Sequence, residues 1–252
     1  MCGIATLIRR STPVDPTAID QMTSAVSHRG PDGAGTTFLT MTADGAGEIK
    51  SPGLADWQVA LGHRRLAILD LSEAGRQPMS YRGRLWITFN GEIYNYVELR
   101  RELERLGREF QSQTDTEVIL AAYDQWGTDC FARFRGMWGL VLIDGPRRMA
   151  IVSRDRLGIK PVYFAKARDL IGVASEIKQF ASMPGVALKT NEPVLRDYLW
   201  TGYEQPGQTF FAGITPLPEG TWQSIDLTSG AVSEPHEFWR PDRIATEIVD
   251  AD

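Results

Sequence analysis

The sequence predicts an α+β fold in which antiparallel sheets are covered by helices. Three observations carry this expectation. Apolar and alternating runs of strand length come in consecutive groups. Helical spacing is confined to three stretches between those groups, so strict βαβ alternations are few. The 24 glycines and 14 prolines fall between short segments as punctuation, which favours many strands over long helices.

In chain order, the first strand is expected at Gly3 to Arg9, a nearly continuous apolar run. Thr17 to Ser27 follows as a helix, because Ile19, Met22 and Val26 recur on one face. Strands come next at Gly35 to Thr40, Val59 to Leu69 and Leu85 to Asn90. Tyr96 to Gly107 carries Leu99, Leu103 and Leu106 at helical spacing, and Thr116 to Trp126 carries Ile119, Ala122, Tyr123 and Trp126. Thr114, with Glu117 three residues on, fits a capping box that opens the latter helix. Four further strands are expected at Met137 to Asp144, Met149 to Ser153, Val162 to Ala165 and Leu170 to Ala174.

With 252 residues, 42% of them hydrophobic and 23% charged, the chain can bury one substantial core. A net charge of -5 without any Lys/Arg run excludes a nucleic-acid surface, which needs clustered cations to neutralise phosphates. No apolar stretch approaches the roughly 18 residues that span a bilayer, and the N-terminus lacks a basic and an apolar targeting region. A cytoplasmic protein without a membrane partner is therefore expected. The only cysteines are Cys2 and Cys130, too few for a disulfide framework or a cysteine-based zinc site. The three histidines are scattered, so no metal is expected. Cys130 reads as a small buried apolar residue.

Chemistry begins at the N-terminus. Removal of the initiator methionine from Met1-Cys2-Gly3-Ile4 would leave Cys2 first, with a thiol and a free α-amine on one residue. Such an amine, with a pKa of roughly 7.7 to 8.0, can take the thiol proton and return it, so no histidine is needed. In Gly62-His63-Arg64-Arg65-Leu66, strand alternation sends the two arginines to opposite faces. One can reach a site and grip a carboxylate, or both can serve ion pairs at a strand edge. His63 reads as a hydrogen-bonded structural residue. At Phe89-Asn90-Gly91-Glu92 the apolar strand ends. The Asn-Gly pair either makes a turn or offers two donors, the Asn90 amide and the Gly91 backbone N–H, to an oxyanion. Asp115 is not needed by the capping box, so it either complements the helix dipole or holds an ammonium.

Taken together and in order, these segments resemble the glutaminase domain of class II, N-terminal-nucleophile glutamine amidotransferases, most closely the asparagine synthetase branch. The resemblance rests on Met1-Cys2-Gly3-Ile4, His28 to Gly33, Gly62 to Ile68, Phe89 to Asn95, Asp115 to Ile119, Arg135 to Trp138, Arg154 to Pro161 and Ala174 to Lys178. It implies a four-layer αββα sandwich of two antiparallel sheets and hydrolysis of the L-glutamine side-chain amide to glutamate and ammonia. By the same resemblance Cys2 is the nucleophile, and Asn90 with the Gly91 N–H forms the oxyanion hole. Arg65 holds the glutamine α-carboxylate and Asp115 the α-ammonium, while Glu92 and the backbone of Ile68 and Leu69 complete the pocket. His28 to Gly33 is then a charged turn against the site, Gly158 to Pro161 a tight strand connection, and Ser175 to Lys178 a helix start.

The resemblance also sets expectations about partners. Residues 1–240 form the glutaminase domain, and 241–252 a loosely packed tail leading towards a synthetase domain. No cofactor is implied for the glutaminase step. ATP and Mg belong to the synthetase, a separate or missing domain or subunit that receives the ammonia, and no Ser-Gly-Gly-x-Asp-Ser type loop for ATP occurs in these residues. Pairing of two such chains as a homodimer is left open. Two other readings compete: the glutaminase half of a different class II amidotransferase, and a non-catalytic docking domain of the same fold.

Overall fold

The computed structural model describes residues 1–42, 45–70 and 72–241. Its strands are β1 (Gly3–Arg9), β2 (Gly33–Met41), β3 (Ala46–Ile49), β4 (Val59–Arg65), β5 (Met79–Tyr81), β6 (Leu85–Ile93), β7 (Gly136–Asp144), β8 (Met149–Arg154), β9 (Tyr163–Ala167), β10 (Leu170–Ala174), β11 (Ile214–Pro216), β12 (Thr221–Asp226) and β13 (His236–Glu237). The α-helices are α1 (Thr17–Ser24), α2 (Tyr96–Arg105), α3 (Asp115–Trp126), α4 (Cys130–Arg133) and α5 (Glu192–Thr201). One sheet runs β11-β9-β10-β1-β4-β2-β3 and the other β13-β12-β8-β7-β6-β5, with antiparallel pairing throughout.

Side-chain alternation separates three apolar layers. Ile4 and Ile8 of β1 and Val59 and Leu61 of β4 meet Trp86, Val141, Ile143 and Val152 of the second sheet in the central layer. Their neighbours Ala5, Leu7 and Ala60 face outward onto Ile19 and Met22 of α1 and onto Phe180. On the far side Ile87, Phe89, Leu140 and Leu142 pack under α2 and α3 through Leu99, Leu103, Val118 and Ile119. The result is the αββα sandwich, since each sheet has two buried faces and helices cover the outer ones.

The structure departs from the predicted elements in informative places. β4 stops at Arg65, and Leu66 to Leu69, although apolar, leave the strand to border a cleft. β6 does not end at Asn90-Gly91 but runs on to Ile93, with Asn90 opposite Gly139 and Gly91 opposite Trp138. Helix α1 ends three residues before Ser27 and α2 two residues before Gly107. Half of the capping box forms: Thr114 Oγ1 accepts the Glu117 N–H at 3.1 Å. The Glu117 carboxylate instead takes N–H bonds from Gln111 and Ser112. Residues 242–252 of the expected tail lie outside the described residues.

Two bonds cross between the sheets beside the cleft. Thr88 Oγ1 donates to Gly62 O at 3.0 Å, and His63 Nε2 bonds Phe89 O at 3.0 Å. Complete burial pulls the His63 pKa down to about 4, so the ring is neutral and its Nε2–H donates. The expected structural role of His63 is the one observed. Cys130 is fully buried, as its apolar surroundings require.

Candidate active site

The alternation that builds the central layer also builds the site. Residues sharing the parity of Ile4, Leu61, Trp86 and Val141 point between the sheets. At one end of the sandwich those positions are Cys2, Arg65, Asn90, Glu92 and Met137, and they line one cleft together with Gly91, Ile68, Leu69 and Asp115. Every residue to which the resemblance gives a catalytic or substrate-binding role therefore lines this cleft.

Cys2 is half-buried, with its thiol between the backbone groups of Leu66: Sγ–H reaches Leu66 O at 3.6 Å, and Leu66 N–H donates to Sγ at 3.3 Å. Burial pushes the thiol pKa up; the Leu66 N–H, the positive amino terminus of Met1 and Arg65 pull against it, and Asp115 adds to the rise. The Cys2 backbone is tethered by Arg29, whose Nε donates to Cys2 O at 2.8 Å and whose Nη1 donates to Glu176 at 2.8 Å. Against its own burial, bonds from Arg29 and Lys178 hold the Glu176 carboxyl down at about 2. Ser175 Oγ accepts the Ile4 N–H at 3.0 Å. The expected charged turn and helix start thus clamp the segment that carries the thiol.

Arg65 and Asp115 supply opposite charges to the cleft. Arg65 donates to the carbonyls of Ser72 (3.2 Å), Leu69 (3.2 Å) and Asp70, so it organises the loop after β4 and still has N–H donors to spare among its five. Gly75 makes room for it, because a Cβ there would lie 2.3 Å from Arg65 Nη2 and 2.6 Å from Asp70 O. Asp115 opens α3 behind the Thr114 cap and accepts the Ile93 N–H at 2.9 Å. It is 5% exposed. Burial raises its pKa to about 6, against bonds from the Ile93 and Thr116 N–H groups and with a further push from Glu92.

Asn90 is 1% exposed, and neither its Nδ2 nor its Oδ1 has a partner among the described residues. An unmade buried amide bond costs about 1 to 3 kcal/mol, so this amide is a donor held ready at the cleft wall. Gly91 follows for a steric reason: a Cβ would stand 2.1 Å from Met137 O and 2.7 Å from Trp138 Cα. A thiol, an unclaimed amide donor, a guanidinium and a carboxylate around one cleft can hold a zwitterion and attack an acyl carbon. The model of the glutamine amidotransferase domain family matches residues 1–239. The chain belongs to this family.

Curated relatives of the amidotransferase domain carry matching names. It is 37% identical over 206 residues to a putative glutamine-hydrolysing asparagine synthetase 2 of Methanocaldococcus jannaschii, covering 76% of this chain and 37% of that protein. It is 38% identical over 231 residues to the glutamine-hydrolysing asparagine synthetase 1 of Bacillus subtilis, covering 89% of this chain and 33% of that protein. The chain thus spans about a third of the length of these relatives. Among solved structures, glutamine phosphoribosylpyrophosphate amidotransferase from B. subtilis superposes with a TM-score of 0.68 at 19% identity, covering 94% of this chain and 49% of that one. At that identity the likeness is one of fold.

Several cleft residues of the amidotransferase domain were not singled out from the sequence: Gly75, Gln77, Thr116, Met137 and Lys160. Gln77 ties the wall together, accepting the Phe89 N–H on Oε1 at 2.7 Å and donating from Nε2 to Thr116 at 3.3 Å. Asp70 links the Arg65 loop to the segment leading into α3, accepting the Gln113 N–H at 2.9 Å while holding φ at 49°. A non-glycine residue in that backbone region is uncommon, yet no local sequence pattern announces it.

Proposed function

We propose that this domain hydrolyses the side-chain amide of L-glutamine to glutamate and ammonia through a thioester on Cys2, after Met1 has been removed. The convergence of Cys2, Arg65 and Asp115 on one cleft, beside the unpartnered amide of Asn90, carries this reading. Glutamine has a zwitterionic head, which calls for one fixed cation and one fixed anion. Arg65 takes the α-carboxylate and Asp115 the α-ammonium, while Glu92 and the backbone of Ile68 and Leu69 close the pocket. The Cys2 amine accepts the thiol proton, and the thiolate adds to the amide carbon. The Asn90 amide and the Gly91 N–H receive the resulting oxyanion. Collapse passes the proton from the amine to the leaving nitrogen and releases ammonia. Water, deprotonated by the same amine, then adds to the thioester, and glutamate leaves with regeneration of the thiol.

No cofactor enters these steps. The ammonia is supplied to a synthetase domain or subunit, as the names of the relatives suggest; that unit uses ATP and Mg to amidate a carboxylate, in the cytoplasm. Among the described residues no helix is long and apolar enough to cross a membrane. The test is an assay of the processed protein with L-glutamine alone. Glutamate and ammonia should appear in equal amounts without ATP or metal, and Cys2→Ala should abolish both. Undiminished release by Cys2→Ala would refute the mechanism.

A further inference from the structure

The Arg154–Pro161 block, whose Gly158 to Pro161 stretch is expected to be a tight strand connection, is folded around one buried carboxylate. Asp155 is 1% exposed. Its Oδ1 accepts N–H bonds from Leu157 (3.1 Å) and Ile159 (2.9 Å), and its Oδ2 from Trp138 (3.1 Å) and Lys160 (2.9 Å). Arg154 closes the loop from the other side, donating to the carbonyls of Gly158 (2.8 Å), Lys160 (2.9 Å) and Leu217 (2.8 Å). Gly158 supplies the left-handed turn at φ 64°. Both the N–H and the carbonyl of Lys160 are thereby fixed, which is more than a mere connection needs.

Lys160 lines the cleft with Cys2, Asn90 and Glu92. The residue is 5% exposed, yet no carboxylate lies within 4.0 Å of its ammonium among the described residues. Asp155 cannot serve as its counter-ion in the ordinary way, because four backbone N–H groups already occupy that carboxylate. A buried, unpaired cation is costly, and such cost concentrates where charge is used. The charged groups around it are Arg29, which disfavours the ammonium, and Glu92, Cys2 and Asp155, which favour it. Cys2 in turn faces the amino terminus, Arg65 and Asp115.

We propose that Lys160 is a positioning residue for the nucleophile: its ammonium, carried on a backbone fixed by the Asp155 knot, stabilises the thiolate form of Cys2. The proposal rests on the reading of Cys2 as the reactive thiol. An opposite charge within about 4 to 6 Å lowers the pKa of an acid by one unit or more, and a neighbouring lysine is a recognised source of reactive thiolates.

The test is the pH profile of alkylation of processed protein by iodoacetamide, in which the thiolate displaces iodide to form a thioether. Labelling of Cys2 is read by mass. Lys160→Met should move the midpoint upward by about one unit without lowering Tm, because it removes a buried unpaired charge and keeps the apolar stem. Lys160→Arg should stay near wild type. Lys160→Gln gives a second neutral side chain should the methionine variant not fold. Midpoints in both neutral variants equal to wild type, or a shift in Lys160→Arg as large as theirs, would overturn the proposal. Glutaminase activity separates the two claims. If glutamine is hydrolysed and the midpoint stays, the Lys160 role alone fails. If the midpoint moves and glutamine is untouched, the proposed function alone fails. Total labelling of Cys2→Ala equal to that of the parent, with the adduct on Cys130, would remove both.

Discussion

Replacing Asp115 by Asn sets stability against substrate binding in a way that the cleft makes quantitative. Asp115 is 5% exposed, and burial lifts its pKa from an ordinary 3.8 to about 6. At 1.36 kcal/mol per unit, holding Asp115 ionised at neutral pH costs about 3 kcal/mol. The folded chain binds this proton more tightly than the unfolded chain. The group therefore favours the fold fully below pH 4, and that contribution is lost as pH rises through about 6. Asparagine removes the charge and keeps an oxygen to accept the Ile93 N–H. Asp115→Asn should thus unfold at equal or higher denaturant at pH 7.5, by up to about 2 kcal/mol, with the difference shrinking towards pH 4. Glutamine binding should suffer in the opposite sense: loss of the ammonium's counter-charge, at about 3 kcal/mol, raises KM roughly 100-fold. In the parent, KM should also rise as pH falls below 6. Urea titrations at pH 4.5 and 7.5, with initial rates beside them, read both effects. A variant destabilised by more than about 2 kcal/mol with KM unchanged would refute the argument, and Asp115 would then be a helix-capping carboxylate and nothing more.

Two other substitutions probe separate walls. Asn90→Ala should lower kcat by about 10²- to 10³-fold with little change in KM; because its amide has no partner among the described residues, thermal unfolding should not fall, and a fall in Tm with kcat intact would exchange the two roles. Gly75→Ala places a Cβ 2.3 Å from Arg65 Nη2, so KM for glutamine should rise while the sheets and their unfolding transition persist, and unchanged KM would show that the guanidinium does not hold the substrate.

Much of the fold was legible in the sequence because its buried strands read as apolar runs. β10 matches its expected span, Leu170 to Ala174, since a wholly buried strand is one continuous apolar run. The extension of β6 past Asn90 was hidden by the site itself. Phe89 and Ile93 face the helices while Asn90 and Glu92 face the cleft, and polar side chains at a strand's end imitate a turn. The reverse happened at Leu66 to Leu69, whose apolar character belongs to the cleft border. β5, β11 and β13 span only two or three residues each and carry no period of their own. Gly75 answers to Arg65 Nη2, an atom of another element, which no local pattern records.

The central claim is that Cys2, freed of Met1, is the nucleophile. Its most direct test is the intact mass and N-terminal peptide mass of active protein treated with a glutamine-shaped diazoketone, with glutamate release followed in parallel. The account predicts a chain lacking Met1, one adduct on Cys2, and loss of glutamate release in proportion to adduct. Active protein that retains Met1, or inactivation with the adduct on Cys130 or elsewhere, would contradict it.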